Sequence, residues 1–264
     1  MGSSLSDLVR NALIGGMLVG FVASYFGVFV VQRRMAFLGS GLAHAAFGGI
    51  ALALFANIEP IYVAIPFTVV FAIAIVWIRE NSVLAEDTAI GVAVAVAMAL
   101  GIVFLQFKDN FADAQAYLFG SILFISGPEL GMAAAMACVT LATFPLWSSW
   151  AYATFDRSLA QTDRLKVRTH DYTLAVALAV AIVVSIKLAG ILLISTFLVL
   201  PAATARLLSR SFLQMTVVSV LIGTLTPAAG FYLSLIPDWP PSATIIFLQS
   251  ALFVVALGVR RVAQ

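Results

Sequence analysis

In the stretch Arg33–Leu54, RRMAFLGSGLAHAAFGGIALAL, one side chain can bind a metal ion or carry a proton near neutral pH: His44. Gly39, Ser40, Gly41, Ala43, Ala45, Ala46, Gly48 and Gly49 surround it. Residues this small let neighbouring backbones approach closely, so the stretch reads as a packed interior helix. A histidine at membrane depth is costly and is read by default as a functional group. A histidine hydrogen-bonded to a neighbouring helix is the other reading, and both stand at this point. The rest of the chemical inventory is short. The chain has no GxxxxGK[ST] phosphate loop, no HExxH, no CxxC and no Ser-His-Asp set. The second histidine, His170, adjoins Asp171 at the edge of an apolar run and reads as part of an interfacial polar cluster. Cys138 is the single cysteine, so no disulfide framework exists.

The elements that must position His44 are dictated by composition. The 264 residues are 62% hydrophobic and 10% charged, with a mean hydropathy of +1.09. A soluble domain carries roughly 25% charged residues, so lipid must be the solvent for most of this chain. The first apolar run is long enough to span and lacks a basic start, so it reads as a helix rather than a cleaved leader. Apolar runs follow in order: 8–31, 35–57, 61–78, 88–106, 129–147, 172–208, 212–235 and 242–257. No linker, low-complexity tract or internal repeat divides them, so the expectation is one all-α polytopic membrane domain over 1–264.

The run 172–208 forces a decision. As one straight helix it would exceed about 50 Å, far beyond a hydrocarbon core of about 30 Å. Arg164, Lys166 and Arg168 precede it, and Arg206 and Arg210 follow it. Both ends therefore belong on one side. The run turns near Lys187–Gly190, or part of it is re-entrant, and Pro201 is a candidate for a kink or break. Broken backbone at membrane depth needs cover from protein or water, so 190–205 is expected to face the interior of the assembly. About eight to nine crossings result. With nine and the N-terminus outside, one side receives Arg33, Arg34, Arg79, Arg157, Arg164, Lys166, Arg168, Arg206, Arg210, Arg260 and Arg261. The other receives Arg10, Lys108 and Lys187. The positive-inside rule makes the first side, and the C-terminus, cytoplasmic.

Every Asp and Glu falls at a helix end or in a loop, which argues against a proton-driven carrier with intramembrane carboxylate relays. The net charge of +2 gives no reason to expect nucleic acid. The polar segment 148–170 holds YATFDRSLAQTDRLK (152–166), which can form a short helix with Phe155, Leu159 and Ala160 on one face. Such a helix, in a chain without an engine, suggests a dock for one; a surface helix lying at the lipid interface is the bland alternative. On the opposite side Asp109, Asp113, Glu129 and Asp238 could meet a partner or attract cations, or be ordinary loop charges. Gly16 and Gly20 have the spacing of close helix packing, with the partner helix unspecified.

Four stretches carry a resemblance to a known family. RRMAFLGSGLAHAAFGGIALA resembles its RR-(LM)-(AS)-(FL)-(LVF)-G-D-x-(LI)-(SA)-H-A segment. EDTAIGVAVAVAMALGIVF resembles its EDxAIG helix, and YLFGSILFIS its LFGxIL loop. GILLISTFLVLPAATARLL resembles its PAATARLL signature and is the most specific. The chain is thereby similar, over nearly its whole length, to the permease subunits of zinc/manganese-type metal ABC importers, the ABC-3 family. The resemblance implies a type II importer-like fold and a translocation path between two copies of the permease. It implies two cytoplasmic ATPase subunits that supply energy, and an extracytoplasmic binding protein that delivers the metal. ATP is then used by the partner, no cofactor is bound by this chain, and the chain itself is not an enzyme. The location implied is a prokaryotic inner or plasma membrane.

Carried over residue by residue, the path would include Gly39, Gly41, His44 and Pro201, with His44 and, more weakly, Ser40 toward the metal. Phe155, Asp156, Arg157, Leu159 and Gln161 fall in the family's coupling segment, FDPEFARALG, with Arg157 in place of its Pro and Arg164 in place of its Gly. The chain departs from the family's G-D-x-x-x-H at Ser40. Asp and His would share one helix face, and carboxylate with imidazole suits Mn²⁺ or Zn²⁺, whereas a neutral hydroxyl is a poor partner for a divalent ion. Three accounts follow: His44 pairs with its copy across the dimer axis, the metal is held only transiently, or the substrate differs. A permease for a siderophore- or vitamin-type chelate, and a membrane assembly protein without transport, remain as other classes.

Overall fold

A computed structural model describes residues 5–83, 86–107, 125–236 and 238–262. The described residues form helices and no strand: α1 (Leu5–Gln32), α2 (Ala36–Ala56), α3 (Pro60–Asn81), α4 (Glu86–Gln106), α5 (Gly127–Ala142), α6 (Trp147–Phe155), α7 (Arg157–Thr162), α8 (Val167–Leu208), α9 (Phe212–Ser234) and α10 (Pro241–Val262). A helix satisfies its backbone polar groups internally, which is what lipid requires of each apolar run. Local sequence sets the ends. Ser126 and Glu129 form a reciprocal cap at the start of α5. Asp156 and Ser211 cap α7 and α9 through the amides of Leu159 and Gln214. A 3-10 turn at Phe144–Leu146, which contains Pro145, joins α5 to α6, so one span runs from Gly127 to Phe155.

The fifth span therefore extends past Trp147, where the sequence reading ended it. The short polar helix is Arg157–Thr162, not 152–166, because the capping carboxylate of Asp156 starts a new helix there. The next helix begins at Val167, ahead of the expected Tyr172. The LFGSIL stretch, Lys108, Asp109 and Asp113 lie outside the described residues.

Helix α8 is two helices joined at Gly190, whose φ of 79° and ψ of 162° only glycine adopts readily. The join is a reversal. Asp171, near the start of α8, lies 2.6 Å from the Arg33 guanidinium, and Arg206, near its end, donates to the Val31 carbonyl at 3.2 Å. Residues 171 and 206 would be about 50 Å apart on a straight helix, yet both reach the same end of α1. Lys187, beside the turn, reaches Glu59 at 2.9 Å at the other end of the bundle. Pro201 does not break the chain; the returning arm stays helical through it, and Pro201 is buried. Among the described residues eight helices are long and apolar enough to cross a membrane. The longest doubles back, so the described residues make nine passes, with basic residues concentrated at one end.

Helices α1, α2 and α8 form the interior. Close backbone approach builds it. A β-carbon on Gly20 would lie 1.9 Å from the Gly223 carbonyl oxygen, and one on Gly16 would lie 3.2 Å from Pro227. The helix that the Gly16–Gly20 spacing anticipates is thus α9. At the basic end Phe29 of α1 packs edge-on to Trp150 of α6 and to Phe212 of α9, with centroids 5.6 and 5.5 Å away.

Candidate functional site

Helix α2 is closed over on most of its surface. Between Leu38 and Ala51 every residue is buried except Ser40 and His44, which are partly exposed. Their spacing of one turn puts both on one face. Neighbours locate that face. A β-carbon on Gly39 would sit 2.7 Å from Leu198 Cδ1 on the returning arm of α8. One on Gly41 would sit 2.5 Å from Ile90 Cγ2 on α4. At about 100° per residue, Gly41 is about 200° round from Gly39, with Ser40 at about 100° and His44 at about 140°. Ser40 and His44 therefore look out through the gap between α4 and the returning arm. His44 Nδ1 is buried and has no hydrogen-bond partner. Nδ1 is therefore not hydrogen-bonded to a neighbouring helix. Gly39 and Gly41 pack at the edges of this face, against Leu198 and Ile90, and Pro201 is buried in the returning arm of α8. Among the described residues, no three His, Cys, Asp or Glu side chains gather into a ready-made metal site.

The second constellation lies at the basic end. In and around α7, Phe155 and Leu159 are exposed (58% and 50%), while Ala160 is buried. The apolar face expected for Phe155, Leu159 and Ala160 is split: Ala160 packs inward with Ala153 and Val167, and the two larger side chains face out. Asp156 accepts from the Leu159 amide and the Ser158 hydroxyl, both at 2.8 Å. These bonds hold its carboxyl below the usual range, the amide contributing most. Gln161, Arg157, Arg79, Glu80, Asn81 and Arg168 line an open cavity of about 530 Å³ beside α7.

Arg157 turns inward from that segment. Its Nη1 lies 2.7 Å from Asp171 Oδ2, and its Nη2 lies 3.4 Å from Glu80. Asp171, 1% exposed, also takes Arg33 Nη1 on Oδ1 at 2.6 Å and Arg79 Nη2 on Oδ2 at 2.8 Å. Arg33 further donates to Thr154 Oγ1 at 2.9 Å. Burial pushes the Arg33 guanidinium below its usual range, and the charge of Asp171 opposes that shift. Arg168 pairs with Glu80 at 2.7 Å. His170 Nδ1 is buried and unpartnered, and the polar cluster forms around Asp171 and Glu80. Sequence reasoning named Arg157 but not Asp171, Arg33 or Arg79 as one unit. The available signal was an excess of arginine over acid at one end, which does not say which carboxylate the arginines share.

At the other end Lys187 bridges Glu59 at 2.9 Å and Glu129 at 3.8 Å, closing α3, α5 and the Gly190 turn together. Asp238, on the same side, has a left-handed backbone with φ of 55°.

Comparison with known proteins gives a consistent set of relatives. The model of the ABC 3 transport family matches residues 6–260. The high-affinity zinc uptake system membrane protein ZnuB of Haemophilus influenzae is 31% identical over 255 residues, covering 95% of this chain and 97% of that protein. The manganese transport system membrane protein MntC of Halalkalibacterium halodurans is 30% identical over 250 residues, covering 94% and 86%. Among solved structures, PsaBC from Streptococcus pneumoniae in complex with Fab superposes with a TM-score of 0.83 at 28% identity, covering 94% of this chain and 90% of that one.

Proposed function

The chain belongs to the ABC 3 transport family, and from that premise we propose that it is the membrane-spanning permease subunit of an importer for zinc or manganese, driven by a separate ATPase. ZnuB of Haemophilus influenzae is named for zinc uptake and MntC of Halalkalibacterium halodurans for manganese transport. The basic end of the bundle faces the cytoplasm, by the positive-inside rule, and carries the C-terminus. Lipid surrounds the outer helices. Two copies meet across the face that exposes His44, and the metal passes between them. An ATPase dimer docks from the cytoplasm on the exposed Phe155 and Leu159, near Gln161. A metal-binding protein delivers the ion at the end that holds Glu59, Lys187 and Asp238.

One observation carries the path: Ser40 and His44 are the partly exposed residues in the otherwise closed middle of α2, and the buried Nδ1 of His44 is unpartnered. A neutral imidazole ring nitrogen is a good ligand for zinc, while manganese prefers oxygen ligands, and few protein ligands per copy let the ion leave readily. Ser40 supplies a hydroxyl one turn away, weaker than a carboxylate. The test is accumulation of radioactive zinc and manganese in cells that carry the chain with its ATPase and binding protein. His44→Ala should lower uptake strongly and Ser40→Ala less. Unchanged uptake in His44→Ala would reduce His44 to a packing residue.

A further inference from the structure

The coupling segment contains an arginine whose side chain, 46% exposed, is engaged with carboxylates of the bundle. Arg157 opens α7, and its guanidinium spans two carboxylates of the bundle, Asp171 and Glu80. Asp171 in turn holds the ends of three other elements. Arg33 is the joint between α1 and α2, Arg79 is in the last turn of α3, and Asp171 itself is near the start of α8. Arg33 also fixes that joint to α6 through Thr154. Both oxygens of one buried carboxylate are therefore committed to guanidinium groups from three separate parts of the chain.

Such a node is stiff. Removing one partner of a buried charge pair leaves an uncompensated charge, so its members move together or the node breaks. Arg33 lies directly ahead of α2, the helix that carries Ser40 and His44. The arm of α8 that carries Asp171 turns at Gly190 and returns past Leu198, which packs on Gly39. Helix α2 and the outgoing arm of α8 are thus tied at their basic ends to the same carboxylate, and the returning arm that flanks the His44 face is joined to the outgoing one through the Gly190 turn.

We propose that Asp171 is the joint through which displacement of α7 reaches α2 and α8, and that Arg157 is the positioning residue that hands the displacement to it. This rests on the reading of α7 as the ATPase dock.

The experiment uses the complex of this chain with its ATPase, reconstituted in proteoliposomes, and reads three quantities: ATPase retained on purification, ATP hydrolysed, and metal carried per ATP. Arg157→Gln leaves Asp171 its pairs with Arg33 and Arg79, so the bundle keeps its main charge compensation. The expected result is ATPase retained at the wild-type level with metal carried per ATP reduced about fivefold or more. Arg157→Lys should restore part of the ratio, because one ammonium can hold Asp171 but does not reproduce the two-carboxylate fork. Asp171→Asn, which keeps the shape and removes the charge, should lower the ratio further. An unchanged ratio in Arg157→Gln would overturn the joint, as would a parallel fall of uptake and hydrolysis. Loss of the ATPase from Arg157→Gln would make Arg157 a docking contact and also overturn it. Failure of the wild-type chain to retain an ATPase would strike the docking reading itself, and the joint with it.

Discussion

Gly27 of α1 lies against the backbone of Leu198 on the returning arm of α8, so closely that a β-carbon on Gly27 would be 2.1 Å from the Leu198 carbonyl oxygen. Backbone cannot retreat as a side chain can. Gly27→Ala should therefore push the two helices apart at a cost of about 1–3 kcal/mol or more. The measurement is the melting temperature of the detergent-purified chain. Gly91→Ala is the control, because nothing lies within 4 Å of the added methyl, and it should melt like the parent.

Gly190 makes the reversal of α8 by conformation rather than by packing. Its φ of 79° with ψ of 162° excludes a side chain at low cost. Gly190→Ala should destabilise the chain by about 1–3 kcal/mol. The same melting assay reads it, and an unaltered melting temperature would mean that the turn is made elsewhere.

The reversal also fixes sides. In a background with Cys138→Ser, which removes the single native cysteine, Arg164→Cys and Arg206→Cys should react with an impermeant maleimide from the same side of the membrane. Asp238→Cys should react from the opposite side. Labelling of residues 164 and 206 from opposite faces would contradict the nine-pass layout.

Asp156 gives a pH prediction. Its carboxyl is held below the ordinary range by the Leu159 amide and then by the Ser158 hydroxyl. The folded value is depressed, so the cap's contribution is present in full above the ordinary carboxylate range and is lost as pH falls through the depressed folded value. Amide exchange at Leu159, corrected for intrinsic rate, should show protection of α7 at neutral pH that declines as pH falls below the ordinary carboxylate range. Asp156→Ala should show the unprotected behaviour at every pH.

Much of the layout was legible in the residues. The basic clusters on both sides of 172–208 required a reversal, and Gly190 was within the interval they indicated. Pro201 misled, because a proline buried against neighbouring helices need not end the helix that holds it. The start of α7 was misplaced, since 152–166 reads as one amphipathic stretch unless Asp156 is seen as a cap. Asp171 was hidden for a different reason. Its arginines stand 138, 92 and 14 positions away, and no local pattern encodes that meeting. His44 was legible by type and by its small neighbours. Its outlook between α4 and α8 was not, because Gly39 and Gly41 point to helices that sequence spacing does not identify.

The account holds that this chain is a passive gate in lipid, moved by an ATPase bound at Phe155 and Leu159. The direct measurement is zinc and manganese flux into proteoliposomes that hold the chain with and without its ATPase, with ATP supplied on the face of the basic residues. The account predicts flux only when both subunits and ATP are present, and no ATP hydrolysis by the purified chain. Flux driven without the second subunit, or ATP turnover by this chain alone, would contradict it.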